Sequence, residues 1–169
     1  MPEAILPADI DETPARGELP AHYAVRLARE KAKAVHAAEA GSIILAADTV
    51  VAAGRRILAK TDDEGEARKT LGLLSGRRHR VHTAMTVIAA DGMQRHRLST
   101  TIVSFKRLSD QEIDAYLACG EWRGKAGAYA IQGRAEALIR QISGSHSGVV
   151  GLPLFETRAL LIAAGCSIG

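Results

Sequence analysis

The chain has 169 residues, enough for one domain with a continuous core, and nothing in that length calls for a second. Hydrophobic residues make up 47% and charged residues 24%, a balance that excludes an intrinsically disordered chain. Lys and Arg exceed Asp and Glu by three (22 against 19) without a dense block, and aromatics make up only 4%, so composition does not point to nucleic acid.

The remaining classes narrow in the same way. Cys119 and Cys166 have no second Cys or His at metal-ligand spacing and read as reduced thiols of a cytoplasmic protein. Met1 to Ile10 lacks a basic segment followed by an apolar one, and no run approaches the length of a transmembrane helix, so no membrane partner is expected.

In chain order, His22 to Glu39 is rich in Ala, Lys, Arg and Glu, with Val25, Leu27, Ala28, Ala32 and Val35 at helical spacing, which predicts an amphipathic helix stopped by Gly41. Ser42 to Ala47 is a continuous apolar run suited to a central strand covered on both faces, with Asp48 expected at its end. Val50 to Leu58 predicts a hairpin turning near Gly54-Arg55-Arg56, and Asp62 to Leu74 a helix that starts on acidic residues. The β-branched runs Arg80 to Ala90 and Arg97 to Lys106, separated by Asp91-Gly92, predict a long antiparallel hairpin.

Ser109 and Glu112 form the pattern of a capping box for a helix to Ala118. After the glycine-rich Gly120 to Gly133, a strand is predicted over Ala137 to Ile142 and a last helix over Pro153 to Ala164. Hairpins interrupt the alternation of strands and helices, so the fold class is α/β, with a mixed twisted sheet carrying helices on its faces.

Asp48-Thr49 at the edge of a buried strand can hold a divalent cation or accept a proton from water; an Asp that merely caps a turn is the other reading. Asp9-Ile10-Asp11-Glu12 offers three carboxylates on an extended segment, and Mg²⁺ needs only one or two alongside substrate phosphates. Gly124 to Gly133 combines small residues with Lys125 and Gln132, whose amide can read a base edge, but it is neither a Walker A nor a Rossmann motif. Gly144-Ser145-His146-Ser147-Gly148 leads into a helix N-terminus without forming the Gly-x-Ser-x-Gly of a serine hydrolase. His79, His82 and His96 read as strand-packing or surface residues.

Seven stretches in order carry a resemblance across nearly the whole chain: Asp9 to Thr13, Arg26 to Ala32, Ala47 to Val51, Ile57 to Lys60, Leu74 to Gly76, Lys125 to Gly133, and Gly144 to Pro153. Together they resemble the Maf (septum-formation-inhibitor-like) nucleoside triphosphate pyrophosphatases. That resemblance implies a Maf/ITPase-like fold, usually a homodimer, that cuts nucleoside triphosphates to the monophosphate and pyrophosphate with Mg²⁺ or Mn²⁺. It implies Asp48 as general base and metal ligand, Glu12 as a second acidic and metal-binding residue, and Lys31 and Lys60 as phosphate-facing cations. Thr49 and Gln132 match the positions that separate substrate classes, and Ala-Asp-Thr with Ile-Gln-Gly resembles the subgroup acting on dTTP and UTP.

The same resemblance implies an apolar strand, a Ser-x-Ser-Pro-Arg-Arg loop and a helix ahead of Asp-Ile-Asp-Glu, which here begins at Asp9. The expectation is therefore an N-terminally short domain over 1–169. Either the native start lies upstream, which the downstream fit favours, or the chain is a shortened, inactive nucleotide- or partner-binding protein involved in division control. Smaller departures are Thr61 in place of Pro, Gly124 in place of Asp, and His146 and Gly148 where Tyr and Asn are common.

Overall fold

The computed structural model describes residues 3–39 and 41–168. Met1 and Pro2, part of the stretch read above for a leader, lie outside the described residues. The first helix, α1 (Pro20–Ala38), starts with proline at its first turn, where a missing N–H costs nothing. The sheet follows with β1 (Ile44–Ala53), β2 (Arg56–Leu58), β3 (Arg78–Ile88), β4 (Gln94–Phe105) and β5 (Ile139–Ser143), in the spatial order β2-β1-β3-β4-β5. Every described pairing is antiparallel, because hairpins rather than crossovers join β1 to β2 and β3 to β4.

The helices between strands are α2 (Glu64–Leu74), α3 (Asp110–Cys119), the short α4 (His146–Val150) and α5 (Leu154–Ala163). Their starts follow local chemistry. Asp63 accepts from the Glu66 amide at 2.8 Å to cap α2, and Ser109 and Glu112 close a reciprocal capping box on α3. The expected elements are all present, and α4 is an addition within the glycine loop, capped by the Ser145 hydroxyl, which accepts from the Gly148 amide at 2.9 Å.

Helices cover both faces of the sheet. On one, Tyr23, Ala24, Leu27 and Ala28 of α1 pack on Val50 and Ala84, with Ala32 against Ile44 and Ile88 farther along. On the other, Val51, Val81 and Val103 meet Leu71 of α2, Leu117 of α3 and the buried Trp122, while Leu160 of α5 packs on Met85 and Val87. Strand alternation divides the two sets, since neighbouring residues such as Val50 and Val51 point to opposite faces.

One expectation needs correcting. Asp48 does not end a strand: β1 runs through it to Ala53, because the apolar run and the first arm of the following hairpin are one continuous strand. Asp48 pairs in register with Ala84 in the middle of the β1–β3 ladder. The reason to expect chemistry at an open strand end therefore lapses, and what surrounds Asp48 has to be found on the sheet face.

Candidate active site

Asp48 lies on the α1 face of β1, among the buried residues. A carboxylate there is unfavourable unless something answers its charge. Lys31, one helical turn past Leu27 on the side of α1 that packs on the sheet, supplies that answer. Its Nζ donates to Asp48 Oδ1 at 2.6 Å and lies 2.7 Å from Glu12 Oε1. One ammonium therefore joins a buried carboxylate to a half-exposed one.

Glu12 reaches this point because α1 holds the chain ahead of it. The Tyr23 hydroxyl donates to the Glu12 carbonyl, and Arg26 Nη2 donates to the Thr13 carbonyl at 3.0 Å. Arg26 is itself held by two 2.9 Å bonds to the Glu18 carboxylate, the bidentate geometry that a guanidinium favours. The acidic segment is thus laid along the helix with its backbone fixed.

The cluster shifts each member differently. Burial pushes the Asp48 carboxyl above its ordinary value, against the pull of Lys31. The hydrogen bond from Lys31 holds Glu12 below its ordinary value, the result for a carboxylate that has a partner and keeps its water. Burial works against the Lys31 ammonium, but hydrogen bonds to Asp48 and Glu12 outweigh it and raise its pKa. The product is a zwitterionic cluster with a basic, poorly hydrated carboxylate beside a cation.

Lys60, in the exposed stretch after β2, makes no ion pair among the described residues, yet its charge reaches both Asp48 and Glu12. The structure brings Asp48, Glu12 and Lys31 into contact and leaves Lys60 at the margin. Thr49 points the other way: its hydroxyl is 3.0 Å from that of Thr83, which donates to the Gly148 carbonyl at 2.7 Å. It therefore ties β1 to the glycine loop at α4 on the opposite face. Gln132 is exposed on the turn before the 3₁₀ segment Arg134–Leu138, and no hydrogen bond among the described residues joins it to Asp48 or Thr49.

That turn belongs to a loop fixed against β1. Gly127 has φ +72°, and a Cβ there would come within 2.7 Å of Val51 Cγ1, so both conformation and space require glycine. A family model described as Maf-like protein matches residues 1–164. The chain belongs to the Maf family.

Relatives in the Maf family match almost the whole of this chain. A dTTP/UTP pyrophosphatase of Novosphingobium aromaticivorans is 60% identical over 99% of this chain and 83% of its own. One of Sphingopyxis alaskensis is 60% identical over 100% of this chain and 88% of its own, and one of Zymomonas mobilis 59% over 99% and 83%. The α/β sheet with helices on its faces is the Maf architecture expected from the sequence.

Sequence reasoning missed Tyr23, Arg26 and Thr83. Tyr23 was findable, since it stands eight residues before Lys31, and helical periodicity puts both on the side of α1 that Leu27 buries. Thr83 was not, because its place opposite Thr49 depends on the β1–β3 register, and nothing local in the sequence sets that.

Proposed function

We propose that this chain hydrolyses dTTP and UTP to the nucleoside monophosphate and pyrophosphate at the Asp48–Lys31–Glu12 cluster. The observation that carries the reading is the buried Asp48 carboxylate, joined through one ammonium to a second carboxylate. Relatives about 60% identical over almost the whole chain are dTTP/UTP pyrophosphatases by name, which supports the substrate.

Asp48 takes the proton of the attacking water. Burial raises its basicity, so the carboxylate is a better general base than an exposed one. Lys31 turns part of its charge to the phosphate chain, and Lys60 approaches from solvent, so two cations meet the negative charge that gathers on departing pyrophosphate.

Asp48 and Glu12 fit a divalent cation, Mg²⁺ or Mn²⁺. Oxygens of both converge within 2.7 Å of one ammonium position, and two carboxylates with substrate phosphates suit such an ion. When bound, the ion neutralises phosphate oxygens and favours cleavage of the anhydride.

Gln132 offers the base one donor and one acceptor from a rigidly backed turn. Thr49 faces away from Asp48 and acts through Thr83 and Gly148, setting the position of the glycine loop. In the same proposal the chain is one domain and works as a cytoplasmic homodimer without nucleic acid. Among the described residues no helix is long and apolar enough to cross a membrane.

The test is pyrophosphate release from dTTP, UTP, CTP and GTP with Mg²⁺ or Mn²⁺, for the chain and for Asp48→Asn. We expect release from dTTP and UTP first, and a loss of about 10²–10³-fold in kcat for the variant. Release from no nucleotide, or an Asp48→Asn enzyme as fast as the parent, overturns the proposal.

A further inference from the structure

At the far end of β3 and β4 lies a cleft of about 490 Å³ that the mechanism does not use. Arg77, Arg78, Lys106, Arg107 and Arg140 line it, and no carboxylate does. These cations come from three separate stretches of sequence, which is why the charge looked dispersed along the chain. Ala84, the partner of Asp48, lies six residues along β3 from Arg78, roughly 20 Å at about 3.4 Å per residue.

The three stretches are knitted together by backbone bonds. The Gly76 amide donates to the Lys106 carbonyl at 2.9 Å, the Phe105 amide to the Arg77 carbonyl at 3.1 Å, and the Lys106 amide to the Leu138 carbonyl at 3.0 Å. The Leu108 amide adds a 2.8 Å bond to the Ser75 hydroxyl. The arginines are therefore carried on a frame that does not need a ligand to assemble.

Their charges, however, are unanswered. Lys106 is paired with Glu112 of α3, but Arg77, Arg78, Arg107 and Arg140 form no ion pair among the described residues. These four exposed arginines line one cleft with no carboxylate among them, so a multivalent anion placed there is attracted to all four at once. Guanidinium forks match phosphate oxygens in pairs, which favours phosphate over a simple halide. Phe105, the one aromatic in the lining, is buried and offers no face for stacking a base, and the volume suits a small ligand better than a strand.

We propose that this cleft binds an oligophosphate, an anion of two or more linked phosphates, at a site separate from the Asp48 cluster. Its ligand is recognised through phosphate alone, so inorganic pyrophosphate and the phosphate tail of a nucleotide share the required chemistry.

The experiment is a calorimetric titration of the whole chain with sodium tripolyphosphate in metal-free buffer, beside Asp48→Asn and the double variant Arg107→Gln/Arg140→Gln. Adenosine and ATP serve as arms that separate base from phosphate recognition. We expect the double variant to bind tripolyphosphate at least about tenfold more weakly while keeping pyrophosphate release from UTP within about twofold, and Asp48→Asn to bind it as the parent does. Circular dichroism verifies that each variant is folded.

Equal affinity in parent and double variant overturns the proposal. So does a matching fall in kcat/KM, which would make the cleft part of the nucleotide site, and so does a twelve-nucleotide RNA that binds through the same arginines more tightly than tripolyphosphate. If the chain turns over no nucleotide at all, the affinity comparison still decides this inference, so its failure is distinct from that of the proposed activity.

Discussion

At Asp48 the fold answers a charge from within: Lys31 sits 2.6 Å from the buried carboxylate and 2.7 Å from Glu12. Six residues along the neighbouring strand, four arginines share a cleft with no acidic lining and no ion-pair partner among the described residues. The first cluster carries its own counter-charge, so an anion bound there competes with an existing contact. The second has like charges and no internal counter-charge, so an anion supplies the first one. If both bind phosphate as proposed, salt, pH and mutation should act on them differently.

The largest effect that separates them comes from removing the internal counter-charge. Lys31→Met keeps the stem that packs beside Leu27 and takes away the ammonium, leaving Asp48 buried and unpaired. We expect a loss of about 3 kcal/mol at pH 7, measured by urea unfolding. The deficit should shrink as pH falls, because a carboxyl whose folded-state pKa is raised favours the protonated fold, and protonation removes the unpaired charge. A loss under about 1 kcal/mol, or one independent of pH, would mean that water rather than Lys31 answers Asp48.

His79 sharpens the comparison, since it is a third solution to the same problem: burial beside a neutral hydroxyl, with no ion pair among the described residues. Its Nε2 lies 2.8 Å from the Tyr129 hydroxyl, its ring packs against those of Tyr129 and Phe105, which also touch each other, and burial pushes its pKa down to about 4. The folded state keeps it neutral where the unfolded chain, near 6.5, already takes a proton. Stability should therefore fall as pH drops from about 6.5 to about 4, by on the order of 3 kcal/mol in total, and level off below. His79→Gln cannot titrate, so parent and variant should differ in the slope of unfolding free energy against pH across that window. Parallel slopes would place the buried proton acceptor elsewhere.

These three environments explain what the sequence could and could not disclose. Helical spacing located α1, and β-branched runs on either side of Asp91-Gly92 located the β3–β4 hairpin, because both signals are local; Ser109 with Glu112 marked the start of α3 for the same reason. Asp48 was legible as a residue but its setting was not: the apolar run and the hairpin arm fused into one strand, so the site is a sheet face under a helix. Glu12 and Lys31 were named through family resemblance, while their shared contact with Asp48 depends on how α1 lies across β1. The arginine cleft was invisible because Arg77-Arg78, Lys106-Arg107 and Arg140 are ordinary pairs and singles in sequence. The strand pairing and the hydrogen bonds of Gly76, Phe105, Lys106 and Leu108 gather them.

The smallest effect concerns the exposed limb of the Asp48 cluster. Glu12 sits on a segment without regular structure, and its carbonyl is held by the Tyr23 hydroxyl from inside α1. Tyr23→Phe deletes that donor and leaves the ring packed against Val50 and Ala84, so the helix–sheet contact survives. The expected cost is about 1 kcal/mol of stability, the net worth of one hydrogen bond. Catalysis should respond through position rather than chemistry: kcat/KM for UTP drops a few-fold, and the metal concentration for half-maximal activity rises as Glu12 loses its fixed place beside Lys31. A variant with unchanged metal dependence would show that Arg26 and Thr13 suffice to hold the segment, and that only Asp48 needs the helix to organise its charge.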